Sequence, residues 1–207
     1  MSIRPATLAF PAALVLALAA SSCRLGSGLV AHEYAPPLVP APTLGTMRNV
    51  SRCDCVWTGS RPSAADLDLA DRRGIARAID VCSAQEGRGS DLAALCEELG
   101  MEYVRVDSGS AAAIPDDEEV DLVLDELRRG DREPTLLFSG SGDRAAMLVA
   151  VWRSTDRGIA VEESIEEARR AGMKPGAPVE FVRSQVARLS SAPADWYAFT
   201  LLPTWGD

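Results

Sequence analysis

The sequence predicts an α/β domain with a central, mostly parallel sheet flanked by helices on both faces. Short runs of strand-forming residues alternate with amphipathic runs, and turn residues separate them at ordinary distances. Residues 101–107 alternate between apolar and polar side chains as a half-buried strand does. Val120, Val123 and Leu127 recur at the spacing that gives a helix one apolar face. Such alternation of strands and helices is typical of βαβ units.

The boundaries of the elements follow from capping and breaking residues. Ser63 is a good N-cap for a first helix that Gly74 ends, and Ser90 or Asp91 caps a second helix that ends at Gly100. Strands are predicted at residues 50–57, 75–82, 101–107 and 136–138, and further helices start near residues 116, 144, 161 and 178. Residues 59–62 and 154–158 have the composition of turns.

The composition divides the chain into four parts. Residues 1–22 have a sparse positive start, a short apolar core and small residues at the end, as an export signal does. Residues 23–46 are rich in Pro and Gly and are predicted to form an extended tether. Residues 47–190 form the α/β domain, and residues 191–207 form a C-terminal tail.

Cys23 directly follows the small residues at the end of the export signal. A small-residue run that ends in Cys resembles a bacterial lipoprotein signal, although Ala20 stands where Leu is usual. The resemblance implies lipidation of Cys23, and hence a periplasmic or cell-envelope protein held at the membrane. Cleavage near Ala20, or an uncleaved N-terminal anchor helix, is the alternative.

Charge and ligand supply exclude several classes of function. The formal net charge of -9 argues against general nucleic-acid binding, because that activity needs a basic face. The only histidine, His32, lies in the predicted tether, and Cys53 and Cys55 are spaced too closely for the usual zinc pairs. We therefore expect neither a metal site nor a cofactor.

Four cysteines fall within the predicted domain. In an exported domain these four residues could form disulfide bonds, but the sequence does not show which would pair: Cys53, Cys55, Cys82 and Cys96. For Cys82 and Cys96 the simpler interpretation, that they are small buried hydrophobic residues, is favoured.

Residues 135–152 contain the candidate functional site. A short apolar strand ends at Phe138, a glycine-containing loop follows, and Arg144 lies at the start of an apolar-rich helix. Backbone N–H groups of such a loop, together with the positive end of the helix dipole, attract anions, and the guanidinium adds a planar fork of donors. The candidate anion-binding residues are Ser139, Gly140, Ser141, Gly142, Asp143 and Arg144. Asp143 is expected to cap the helix or to orient Arg144.

The stretch from about residue 49 to residue 173 resembles the dual-specificity and tyrosine phosphatase superfamily, in particular its small bacterial phosphatase-like domains. Residues 58–81, 99–107 and 136–152 are similar to the opening turn, helix and strand, to the third strand, and to the phosphate-binding loop with its helix. Residues 157–172 are similar to the segment after that loop.

The resemblance implies a cysteine nucleophile where this chain has Ser139, next to Phe138, whereas the arginine at the end of the loop is kept as Arg144. A loop that lowers a thiol pKa enough to form thiolate leaves a serine hydroxyl protonated. The general acid implied by the family has three candidates, Asp107, Asp116 and Asp117.

The sequence therefore predicts a pseudophosphatase that binds phosphate or another anion, with a phosphate-bearing molecule or protein as its partner. Two alternatives stay open. One is a non-catalytic interaction or scaffold module in the cell envelope. The other is an active phosphatase that uses Ser139 in an altered mechanism, or Cys82 as a substitute nucleophile.

Overall fold

The structure is a computed structural model that describes residues 35–83, 85–86, 91–106, 114–130 and 132–191. A six-stranded sheet runs through the middle of these residues. Its strands are β1 (Val39–Pro40), β2 (Ser51–Cys53), β3 (Val56–Ser60), β4 (Arg77–Asp80), β5 (Glu102–Arg105) and β6 (Thr135–Ser139). The spatial order is β1-β2-β3-β6-β4-β5.

The pairing of the strands confirms the predicted fold class. Strands β3, β6, β4 and β5 are parallel neighbours, and the pairs β1–β2 and β2–β3 at one edge are antiparallel. Strand β6 is central, with β3 on one side and β4 on the other. The register places Ser60 opposite Ser139 and Asp80 opposite Phe138, so three parallel strands end at the same edge of the sheet.

Six helices within the described residues connect or cover these strands. They are α1 (Ala64–Arg72), α2 (Leu92–Leu99), α3 (Asp117–Arg129), α4 (Asp143–Asp156), α5 (Val161–Arg170) and α6 (Ala177–Ser191). Ser63 and Asp66 form a reciprocal capping box at the start of α1, and Gly100 ends α2 in the left-handed conformation. Capping chemistry thus determines these boundaries, as the sequence predicts.

Each face of the sheet has its own core. Leu136, Phe138 and Ala78 point to the face covered by α1 and α2. Leu137 and Ile79 point to the opposite face, where α3, α4, α5 and α6 pack. Helix α4 is buried from its first residue through Arg153, so it is the central helix of the domain.

The antiparallel edge differs from the predicted single strand over residues 50–57. Strands β2 and β3 form a hairpin, and Asp54 at its turn has a φ of 52°. Strand β3 then continues through Ser60, where a turn was predicted, because Gly59 pairs with Phe138 of β6. A Cβ at position 59 would lie 2.8 Å from Met47 Cε, so the glycine leaves room for the Met47 side chain.

The predicted tether also ends earlier than expected. Leu38 and Leu44 are buried, and Val39 and Pro40 form the edge strand β1. The carbonyl of Pro36 accepts a hydrogen bond from Arg153 Nη1 at 2.8 Å, and Leu38 N donates to Glu167 Oε2 at 3.1 Å. Prolines exclude a helix or a central strand here, but an edge strand tolerates them.

Helix α4 is longer than the sequence predicts. It includes residues 154–156, where serine, threonine and aspartate indicated a turn. Thr155 Oγ1 donates to Val151 O at 3.0 Å, which places the polar side chain back on the helix. No helix within the described residues has both the length and the apolar character needed to cross a membrane.

Candidate functional site

The candidate loop lies at the carboxyl edge of the sheet. Strand β6 ends at Ser139 beside the end of β3 at Ser60, and α4 begins only four residues later at Asp143. Ligand sites of parallel sheets gather at this edge, because the strands direct their following loops there. The loop amides and the N-terminus of a buried 14-residue helix therefore converge at one point.

Ser139 is buried at the base of this loop. Its Oγ accepts hydrogen bonds from Gly142 N at 3.1 Å and from Ala145 N at 3.4 Å. Within the described part of the chain, no carboxylate or other side-chain base accepts a hydrogen bond from this hydroxyl. The hydroxyl oxygen thus lies where backbone donors would also favour a negative charge.

Gly142 makes the tight turn into α4 possible. Its φ is +89°, a conformation that L side chains rarely adopt, and a Cβ there would lie 3.0 Å from the carbonyl carbon of Gly59. The loop therefore packs directly onto the end of β3.

Asn49 supports the loop from outside. Its Nδ2 donates to Ser141 O at 2.9 Å, and its side chain lies against Gly142 and Gly172. Asn49 itself has a positive φ of 54°, which Asn tolerates better than most residues. One side chain therefore joins the loop to the segment between α5 and α6.

Asp143 has a different role from the one that the sequence suggests. Gly142 is the N-cap of α4 without a side-chain cap, and Asp143 is the first residue of the helix. Asp143 Oδ1 accepts a hydrogen bond from Lys174 N at 2.9 Å, and its Oδ2 lies 3.7 Å from Lys174 Nζ. The carboxylate therefore fixes the α5–α6 connection to the start of α4, rather than capping the helix.

Arg144 is buried at the same edge of the sheet. Its Nη1 donates to Val81 O at 2.7 Å, just beyond the end of β4, and lies 4.0 Å from Glu119 Oε1 of α3. A buried carboxylate and a backbone carbonyl thus hold the guanidinium at the carboxyl edge of the sheet. A fork fixed in this way loses little side-chain entropy when it binds an anion.

Glu86 lies against the loop from the β4 side. A Cβ on Gly140 would be only 2.5 Å from Glu86 Cδ, so the carboxylate occupies the space beside this glycine. The loop therefore has a carboxylate at its rim as well as an arginine at its end.

The three comparisons with known proteins differ in outcome. No model of a protein family and no curated protein sequence matches this chain. Solved structures do match. A DUF442 phosphatase from Shewanella putrefaciens CN-32 has a TM-score of 0.60 and 13% identity, over 70% of this chain and 96% of its own.

Two further matches contain serine substitutions. Kinase-associated phosphatase with its catalytic-site cysteine changed to serine has a TM-score of 0.60 and 17% identity, over 76% of this chain and 98% of its own. A cysteine-to-serine variant of P. aeruginosa TpbA in complex with phosphotyrosine has a TM-score of 0.59 and 18% identity, over 76% of this chain and 98% of its own. The chain has the fold of the tyrosine and dual-specificity phosphatase superfamily. Identities this low show the fold alone.

The phosphatase-like domain brings the six predicted anion-binding residues together in one loop and helix start. The two general-acid candidates within the described residues, Asp116 and Asp117, lie at the start of α3. Asp116 caps α3 by accepting from Glu119 N at 2.9 Å, and Asp117 Oδ1 accepts from Gln185 Nε2 of α6 at 2.6 Å. Asp107, Cys23 and His32 lie outside the described residues.

The cysteines of the domain are free thiols, and Cys82 and Cys96 are buried in the core as predicted. Burial and then the negative charge of Asp80 raise the pKa of the Cys82 thiol to about 12. Because a protonated thiol is a poor nucleophile, Cys82 is unsuited to replace the missing cysteine. Within the described ranges, no group of three or more metal-ligating side chains is placed to hold a metal ion.

Several residues around the loop were not found from the sequence. Asn49, Glu86, Glu119 and Lys174 are far from the loop in the chain, and each reaches it through tertiary packing. Their residue types are common at surfaces, so no local signal marks them. Asn49 is a partial exception, because asparagine is one of the few residue types that adopt the left-handed conformation, which Asn49 has in the structure.

Proposed function

We propose that this domain is a pseudophosphatase that binds phosphate or another anion at residues 139–144 without hydrolysing phosphate esters. The observation that carries the proposal is the position of Ser139 Oγ under the amides of Gly142 and Ala145. The hydroxyl stands at the base of the loop, where the fold family uses a thiolate, and the loop amides remain oriented around it.

The chemistry favours binding over bond breaking. A serine needs a neighbouring base to become a nucleophile, and the chain has a single histidine, His32, in the N-terminal region before the domain. Binding needs only the donors, which are the loop amides, the start of α4 and the Arg144 guanidinium.

Two proteins of this fold support a serine in this role. P. aeruginosa TpbA has a solved cysteine-to-serine variant that holds phosphotyrosine, and kinase-associated phosphatase has a solved form with serine at its catalytic site. By analogy, we infer that a serine at the base of the loop is compatible with the fold and with binding a phosphate ester.

Thermal unfolding of the full chain with phosphate, sulfate or vanadate tests the binding. At a hundredfold excess over the Kd, a ligand of the folded state should raise Tm by about 5 °C or more. Arg144→Ala should abolish this rise, and Arg153→Lys, at the other end of α4, should keep it. If the wild-type Tm is independent of all three anions, the loop is a structural turn and the domain is an interaction or scaffold module.

Hydrolysis of p-nitrophenyl phosphate tests the loss of catalysis. The wild type should show none, and Ser139→Cys should gain it if the rest of the site is intact. Hydrolysis by the wild type that disappears in Ser139→Ala would show instead an active phosphatase with an altered mechanism.

We further propose that the protein is exported and lipid-anchored through Cys23. The export-like composition of residues 1–22 and the cysteine directly after them support this proposal. Expressed in a bacterial host, the wild type should fractionate with membranes, and Cys23→Ala should be released as a soluble exported protein. Cytoplasmic recovery of both forms would contradict export.

A further inference from the structure

The anion-binding loop has a negative side chain at its rim. Gly140 directly follows Ser139, and a Cβ on Gly140 would lie 2.5 Å from Cδ of Glu86 and 2.9 Å from its Cγ. The Glu86 carboxylate therefore takes the space that any larger residue at position 140 would need. A carboxylate this close to the loop is unexpected for a site that attracts bare anions, because like charges repel.

Glu86 is exposed, but backbone and side-chain hydrogen bonds hold its carboxylate in place. Ser83 N donates to Glu86 Oε2 at 2.9 Å, and Glu86 N donates back to Ser83 Oγ at 3.4 Å. Ser83 is buried and follows β4, so this reciprocal pair is attached to the sheet. The hydrogen bond uses Oε2, and Oε1 is the oxygen directed to Gly140.

The charges around the loop favour a ligand that has both signs of charge. Arg144 and the loop amides attract the phosphate. Asp143 and Lys174 lie 3.7 Å apart and largely compensate each other. Glu86 then adds a negative charge beside Gly140, the residue that follows Ser139 in the loop. A cation there gains an ion pair, whereas a neutral group gains nothing.

We propose that Glu86 is a specificity residue that selects phosphate monoesters with an ammonium or guanidinium group close to the phosphate. The inference rests on the proposed anion binding at residues 139–144. It specifies which class of ligand the site prefers, because the loop alone would bind any small phosphate ester.

Phosphoethanolamine and ethyl phosphate form a matched pair of probes, because they differ mainly in the ammonium group. Titration calorimetry with the full chain should show that the wild type binds phosphoethanolamine about threefold more tightly than ethyl phosphate, as expected for a partly exposed ion pair. Glu86→Gln should bind the two esters equally and should bind inorganic phosphate about threefold more tightly than the wild type does.

The exposed Glu163 of α5 provides a control for net charge. Glu163→Gln changes the total charge by the same amount as Glu86→Gln, and it should keep the wild-type preference. The proposal is overturned if wild type and Glu86→Gln show the same ratio between the two esters, or if Glu163→Gln loses the preference as well. If neither protein binds ethyl phosphate, phosphoethanolamine or inorganic phosphate, the proposed anion binding itself fails.

Discussion

Helix α4 contains a buried arginine near each end, and different groups hold the two. At the carboxyl end, Arg153 Nε lies 2.7 Å from Glu167 Oε2, and Arg153 Nη1 donates to Pro36 O. At the amino end, Arg144 Nη1 donates to Val81 O and lies 4.0 Å from Glu119 Oε1. Both guanidinium groups are buried by the same helix, but Arg144 lies at the carboxyl edge of the sheet, whereas Arg153 lies at the other end of the helix, beside Pro36 and Glu167.

The difference separates a structural role from a binding role. Arg153 and Glu167 join α4, α5 and the segment before β1, and their charges compensate each other inside the fold. Arg144 lies at the edge of the sheet where the loop amides and the positive end of α4 converge. We therefore expect changes at the Arg153 end to affect stability, and changes at the Arg144 end to affect the binding of anions.

The largest effect is expected from Arg153→Met. This change leaves the Glu167 carboxylate buried without its cation, which should lower the free energy of unfolding by about 3–5 kcal/mol. Urea denaturation measures the loss. The double variant Arg153→Met, Glu167→Leu should recover most of it, because no buried charge then remains. A loss below about 1 kcal/mol for the single variant would show that the pair is not a structural link.

A buried thiol lies at each end of α4, and both predict a loss of stability in alkaline solution. Burial raises the pKa of Cys53, which lies beside Arg153, from 9.0 to about 12, and burial raises the pKa of Cys82, which follows Val81, to the same value. Because each thiol has a higher pKa in the folded state than in the unfolded state, its contribution to stability is fully present at a pH below the unfolded pKa. The contribution is lost as the pH rises from 9.0 toward about 12, by at most about 1.4 kcal/mol per pH unit for each thiol.

Urea denaturation of wild type, Cys53→Ala and Cys82→Ala along an alkaline pH series measures this loss. Other groups also titrate there, so the difference between wild type and each variant isolates the thiol. The slope should be shallower in both variants. Identical slopes in all three proteins would contradict the buried, protonated thiols.

Gly142→Ala should affect both stability and binding at the amino end of α4. Gly142 and Gly176 share a φ of +89°, but a Cβ would approach Gly59 to 3.0 Å only at position 142, and it meets nothing within 4 Å at position 176. Gly176→Ala should cost about 1 kcal/mol for the backbone alone, and Gly142→Ala about 1 kcal/mol more for the close contact. Only Gly142→Ala should weaken phosphate binding. Equal effects of the two variants would show that the loop tolerates a side chain.

The fold was predictable from local signals, since these act within a few residues. Ser63 and Gly100 mark helix ends, and the apolar run before Ser139 marks the central strand. The same signals found the loop and Arg144. Composition misled where tertiary contacts decide. The prolines of residues 23–46 suggested an extended tether, but Arg153 binds Pro36 and Glu167 binds Leu38, so this part of the segment is held against the domain.

The surroundings of the site were not predictable for the same reason. Glu86 approaches the loop because β4 is adjacent to β6, and Asn49 approaches it because β3 ends beside Ser139. Strand order comes from the whole domain and not from any one segment. The role of Asp143 was likewise missed, since its partner Lys174 lies 31 residues away in the chain.

The smallest effect is expected from Asn49→Gly, which tests whether the loop needs support from outside. The change removes the Nδ2 hydrogen bond to Ser141 O, and glycine tolerates the φ of 54°. The free energy of unfolding should therefore fall by less than about 1 kcal/mol, while the affinity for phosphate falls about threefold because the loop is less well ordered. Asp54→Gly is the matched control, since Asp54 has a φ of 52° in the hairpin turn between β2 and β3. Calorimetric titration with phosphate should give the wild-type affinity for Asp54→Gly. A normal affinity in Asn49→Gly would show that the loop holds its shape without Asn49, and that the turn at Gly142 alone orders the amides.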